Sequence, residues 1–139
     1  MANISSDSCS FYFVKLSPGE DLRQSLISFC KNHQIHAGSI VSGVGSLSTT
    51  KLRKASSDSF YESNEPHEIL TLSGLLSTEG VHIHISIADK EARVYGGHLS
   101  DGNQIFTTGE VVVASYSGIR FDREFDPETG FKELKIKLI

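Results

Sequence analysis

The chain has 139 residues, with 13 lysines and arginines against 17 aspartates and glutamates, for a formal charge of −4. That length supports one domain with its own core and leaves little room for a second, and the acidic balance argues against a dedicated nucleic-acid binder. No apolar run reaches the ~18 residues of a membrane span, and the N-terminal MANISSDSCS lacks the basic start and apolar run of a secretory signal. The expectation is a soluble cytoplasmic protein with no membrane partner.

Residues 1–9 are polar and are expected to be irregular or disordered, with the domain occupying 10–139. Ser10–Leu16, SFYFVKL, has the aromatic and β-branched character of a strand. A helix follows. Ser17 stands as its cap, Pro18 at the first helical position and Glu20 three residues after the cap, with Leu22, Leu26, Phe29 and Cys30 at helical spacing. His33 falls at the C-terminal end of this helix, where a cation is favourable. Cys9 and Cys30 lie in apolar-patterned segments, form no Cys-x-x-Cys pair, and are expected to be buried free thiols.

Ile35–Leu47 reads as a strand leading through Gly43-x-Gly45, a tight backbone passage without the spacing of a phosphate loop or a dinucleotide fingerprint. The KLRK stretch contributes Lys51, Arg53 and Lys54, a basic patch with two readings, a phosphate contact and, more commonly, a solvated strand edge. Ser56–Pro66 is polar and turn-rich and is expected to be a loop. His67–Ser77 is a further strand. Glu68 at its start has three open readings: general base, additional metal ligand, or solvated strand end.

Val81, Ile83, Ile85 and Ile87 alternate with His82, His84, Ser86 and Ala88, which is the clearest strand pattern in the chain. Asp89 and Asp101 look like turn residues. The strand RVYGGHL carries paired glycines, and QIFTTG, EVVVASYSG, IRFDREF and FKELKIKLI follow as strands, the last two flanking a DPETG turn. The total is eight or nine strands and one firm helix. The fold class is therefore α+β: a single domain with a curled, mostly antiparallel sheet packed with one main helix.

The alternation has a chemical consequence. If Val81, Ile83, Ile85 and Ile87 take the core face, His82 and His84 share the other, with Cα atoms roughly 6.5–7 Å apart. Imidazoles at that spacing suit a transition metal better than calcium or magnesium. His98 follows Gly96-Gly97, and a turn returns its strand toward the first, making it the third candidate ligand. Three histidines leave a coordination position open, as in catalytic rather than structural zinc sites. The competing reading is three ordinary hydrogen-bonded or surface histidines. His33, His36 and His67 lie outside this pattern. Gly43, Gly45, Glu68, Gly96 and Gly97 are the candidate site neighbours.

The segments RQSLISFCKNHQIHAGSIVSGVGSL, HEILTLSG and HIHISIADKEARVYGGHL, with the later DG, resemble the PPC domain (DUF296). That family comprises stand-alone prokaryotic proteins and domains of plant AT-hook nuclear proteins. The resemblance runs from about Phe13 to the C-terminus, weakest in the final hairpin. It implies a curled antiparallel sheet, a homotrimer, and a histidine cluster for a divalent metal such as zinc, matching His82, His84 and His98. Prokaryotic members are described as candidate DNA-binding proteins, but this chain is acidic and has no Arg-Gly-Arg-Pro hook. Three functional classes follow: a metal-dependent enzyme or binder of a small molecule, a DNA-associated regulatory or architectural protein, and a non-catalytic oligomeric interaction module.

Overall fold

The histidine-bearing strand lies inside a large antiparallel sheet. The computed structural model describes residues 1–139. Its elements are β1 (Cys9–Leu16), α1 (Leu22–Asn32), β2 (Gly38–Leu47), β3 (Thr50–Arg53), β4 (Phe60–Ser63), β5 (His67–Ser77), β6 (Gly80–Ala88), β7 (Val94–Leu99), β8 (Ile105–Tyr116), β9 (Ile119–Asp126) and β10 (Phe131–Leu138). Eight strands form one open sheet in the order β1-β8-β2-β5-β6-β7-β3-β4, and β9 and β10 pair as a separate hairpin. The expected architecture, a mostly antiparallel sheet with one helix, is present. No helix is long and apolar enough to cross a membrane.

The alternation in β6 places Ile83, Ile85 and Ile87 in the main core with Leu22, Leu26 and Cys30 of the helix. Burial pushes the Cys30 thiol up to about 11, which keeps it an inert packing group. Cys9 does not share this fate: it opens β1 on the exposed side. The opposite sheet face carries a second, smaller core in which Ile119 and Phe121 of β9 meet Ala37, with Leu75, Leu134 and Ile136 packed against them. The hairpin thus covers the face that the helix does not.

Several local expectations are corrected. The helix is capped by Asp21, whose carboxylate accepts the Gln24 N–H at 3.0 Å, not by Ser17. Glu20 does accept the Ser17 N–H, but this closes a turn before the helix. Gly19 there adopts φ +87° and donates to the Ile105 carbonyl at 2.8 Å, while Leu22 donates to the Asn103 carbonyl at 2.9 Å. These tertiary bonds hold the segment out of helix until Asp21. The loop expected over 56–66 contains β4, paired with β3. Its polar sequence suits an outermost strand, and β3, with its basic residues, is consequently not the edge.

The two strands expected between Gln104 and Gly118 are one strand, β8, continuous through Gly109. Gly109 is a close-approach residue rather than a break. It faces Gly45 across the ladder, and a Cβ on Gly45 would lie 2.1 Å from the Thr108 carbonyl oxygen. Asp89 behaves as a turn residue, accepting the Glu91 and Arg93 N–H groups at 2.9 Å. Asp101 does more, binding Arg23 at 2.8 Å and Gln24 at 2.9 Å across the fold.

Candidate metal centre

Antiparallel register brings the three histidines together. His82 and His84 project from β6 on the face opposite the isoleucines, and both are exposed. In the β6–β7 ladder His84 lies directly opposite His98. One possible ligand nitrogen from each of the three rings can be chosen so that all lie within 4.8 Å of one another. The ring centroids are 4.9 Å apart for His82–His84, 5.2 Å for His82–His98 and 5.8 Å for His84–His98.

The donor set fits a transition metal. His98 Nδ1 is buried with no hydrogen-bond partner, although buried imidazole nitrogens are normally partnered. Burial first, then the positive charge of Arg53 and the neighbouring histidines, lowers the His98 imidazole to about 4. His82 is lowered by burial, then by His84 and Arg123. A neutral imidazole is the form that ligates.

The paired glycines contribute through close backbone approach. A Cβ on Gly97 would lie 2.8 Å from the Arg53 carbonyl oxygen, so its absence lets β3 pair with β7. That pairing sets Arg53 directly opposite His98. Across neighbouring strands, one row therefore reads Ser73, His84, His98, Arg53, Phe60.

The other expected neighbours lie elsewhere. Gly43 and Gly45 are on β2, separated from β6 by β5. A Cβ on Gly43 would lie 2.7 Å from Leu72 Cβ, which makes it a packing position. Glu68 is exposed and pairs with Ala88, four residues along β6 from His84, or about 13 Å. His67, by contrast, is buried. Its Nδ1 lies 2.8 Å from the Glu65 carbonyl oxygen and its Nε2 3.0 Å from the Tyr61 hydroxyl. The carbonyl can only accept, so Nδ1 carries the proton and Nε2 accepts from Tyr61.

A cavity of about 480 Å³ opens beside His82 and His98. Arg23, Arg53, Arg123 and Lys132 line it, together with Glu79 and Glu133. Sequence patterning had no means of finding Arg123 or Lys132, because they reach the site from the separate hairpin. Arg53 belonged to the noted basic stretch, but that stretch is not one patch. Lys51 pairs with Glu62 at 3.6 Å and sits 4.7 Å from the Phe60 ring centroid, whereas Arg53 lies beside the histidines.

The match to a family model for the Plants and Prokaryotes Conserved domain covers residues 4–117. The chain belongs to this family. It is 28% identical to a hypothetical protein from Salmonella, covering 99% of both chains with a TM-score of 0.93. The metal-containing protein AF0104 from Archaeoglobus fulgidus is 30% identical over 97% of this chain and 99% of its own, with a TM-score of 0.83. A candidate DNA-binding protein from Bacteroides thetaiotaomicron is 29% identical, over 94% of this chain and 98% of its own, with a TM-score of 0.80. The chain is also 44% identical over 128 residues, 92% of its length, to a bifunctional protein GlmU of Synechococcus (strain JA-3-3Ab). It spans about a fifth of that relative, 21%.

Proposed function

We propose that this family member holds a divalent transition metal, zinc foremost, on His82, His84 and His98, and uses it to bind or transform a small molecule. The observation that carries the reading is the convergence of three possible ligand nitrogens within 4.8 Å, from residues on two adjacent strands. The metal-containing Archaeoglobus relative supports it. Three imidazoles leave a coordination position free, and a metal so held supplies Lewis acidity to a bound carbonyl or water. The chain's own contribution is to present three imidazoles from two paired strands and to border them with a cavity. Elemental analysis of untagged protein tests the reading. It expects about one transition-metal ion per chain, lost in His82→Ala/His84→Ala; metal-free wild type after reconstitution with zinc overturns it.

Self-association as a homotrimer belongs to the same proposal. The sheet exposes Phe11, Phe13, Val41, Val44, Leu70 and Phe106, and large apolar patches on soluble proteins mark association surfaces. Light scattering should return three times the chain mass, and a monomer at working concentration would remove this part. The DNA-associated reading draws on the Bacteroides relative, but the basic stretch is divided between Glu62 and the histidine site. Fluorescence anisotropy with duplex DNA at physiological salt should show no salt-resistant binding.

A further inference from the structure

We infer that the cavity beside the three histidines is a site for a small organic oxyanion, gripped between Arg53 and Arg123. The inference rests on the metal reading above and deepens it by assigning the ligand's chemical class.

Charge and hydrogen bonding decide the class. Arg123 and Arg53 are both half-buried, yet neither forms an ion pair or a side-chain hydrogen bond within the chain, whereas Arg23 is engaged by Asp101 and Arg120 by Asp122. Each guanidinium thus presents a full set of N–H donors in a planar fork, whose geometry matches a carboxylate or phosphate. Lys132 adds a third cation without an ion pair. Of the two carboxylates in the wall, Glu79 lies 3.8 Å from Arg120, and Glu133 accepts the neutral Thr129 hydroxyl at 2.9 Å and keeps its charge, so it alone stands against Arg53, Arg123 and Lys132. The cavity therefore has surplus positive charge before any metal is added. An oxyanion supplies the acceptors that the chain withholds.

Size and lining narrow the class further. A volume of about 480 Å³ suits a small molecule. Only two of the twelve lining residues, Val81 and Phe131, are hydrophobic, so the ligand is polar rather than a lipid chain. His82 and His98 share the wall with the arginines. A ligand held by its oxyanion is thereby placed with its remaining polar groups toward the histidines.

The clamp is built from two parts of the chain. Arg53 is placed by the β3–β7 pairing that Gly97 permits. Arg123 and Lys132 come from the β9–β10 hairpin, beyond the residues matched by the family model. The residues matched by the family model thus supply the histidines and Arg53, and the hairpin that follows them supplies Arg123 and Lys132.

Isothermal titration calorimetry at fixed ionic strength tests this, with malonate as the carboxylate probe and inorganic phosphate as the phosphate probe. The metal-loaded wild type, Arg53→Gln, Arg123→Gln and the double variant are compared. At least one probe should bind at one site per chain. Each single substitution should weaken it about tenfold or more, and the double variant should abolish binding while keeping its metal content and melting temperature. Binding of malonate alone assigns a carboxylate ligand, and binding of phosphate alone assigns a phosphorylated one. Failure of both probes, or equal binding to the double variant, overturns the inference. If wild type takes up no metal but binds a probe through the arginines, the metal reading fails and the anion grip stands.

Discussion

Two histidine-bearing regions of the same sheet have opposite chemistry. His67 is buried, both its nitrogens are partnered, and its ring lies edge-on to Tyr61, which itself stacks on Tyr95 at 4.4 Å. His82, His84 and His98 sit on the open face, have one another as ring neighbours, and include a buried nitrogen with no partner. A histidine whose hydrogen-bonding capacity is used up internally stabilises the fold. Histidines that converge with unused nitrogens are available to a ligand. What separates the two cases is the accounting of partners, since burial alone would favour His67.

Substitutions should break this contrast cleanly. The largest effect is expected for His84→Ala, the residue shared by the His-x-His pair and the cross-strand pair: metal content should fall ~10-fold or more, with little change in the denaturation midpoint. His67→Ala should do the reverse. It should keep the metal content of wild type and lose ~2–4 kcal/mol of stability in urea unfolding, from the cavity and from the stranded Tyr61 hydroxyl. Equal metal loss in both variants would erase the distinction.

Gly97→Ala joins the two effects. Its Cβ must push against the Arg53 carbonyl, so it should cost ~1–3 kcal/mol and weaken oxyanion binding as β3 shifts. The smallest effect is expected at the Arg23–Asp101 pair. Burial disfavours the Asp101 carboxylate, but its hydrogen bonds from Arg23 and Gln24 outweigh this and hold it below its ordinary 3.8. The unfolded chain therefore protonates there first. This increment of stability is full above about pH 4 and is lost as pH falls further. Asp101→Asn should flatten that part of the pH–stability profile, by under about 1 kcal/mol because the pair is exposed.

Much of this was legible in one dimension. Period-two alternation in Val81–Ala88 separates the isoleucines from His82 and His84, because a strand side chain has only two faces to choose from. The glycine pair before His98 signalled a close approach, and Gly97 makes one. Other signals misled. Gly109 reads as a break but sits inside β8, where a Cβ would lie 2.8 Å from Ile105 Cδ1. Ser17 and Pro18 read as a helix start, but Gly19 and Leu22 are bonded to the 103–105 segment and the helix waits for Asp21. Cys9 looked like a core thiol and is exposed, because β1 begins beyond the packed interior.

The sequence by itself determined the strand-rich class, the helix and the shared face of His82 and His84, since all three follow from local periodicity. Only the tertiary structure decided that His98 stands opposite His84, that His67 is sealed among tyrosines, and that Arg53 and Arg123 arrive from separate elements at one cavity. Those facts depend on register and on which strand lies beside which. Contacts between residues as distant as Arg53 and Arg123 leave no periodic trace in the chain.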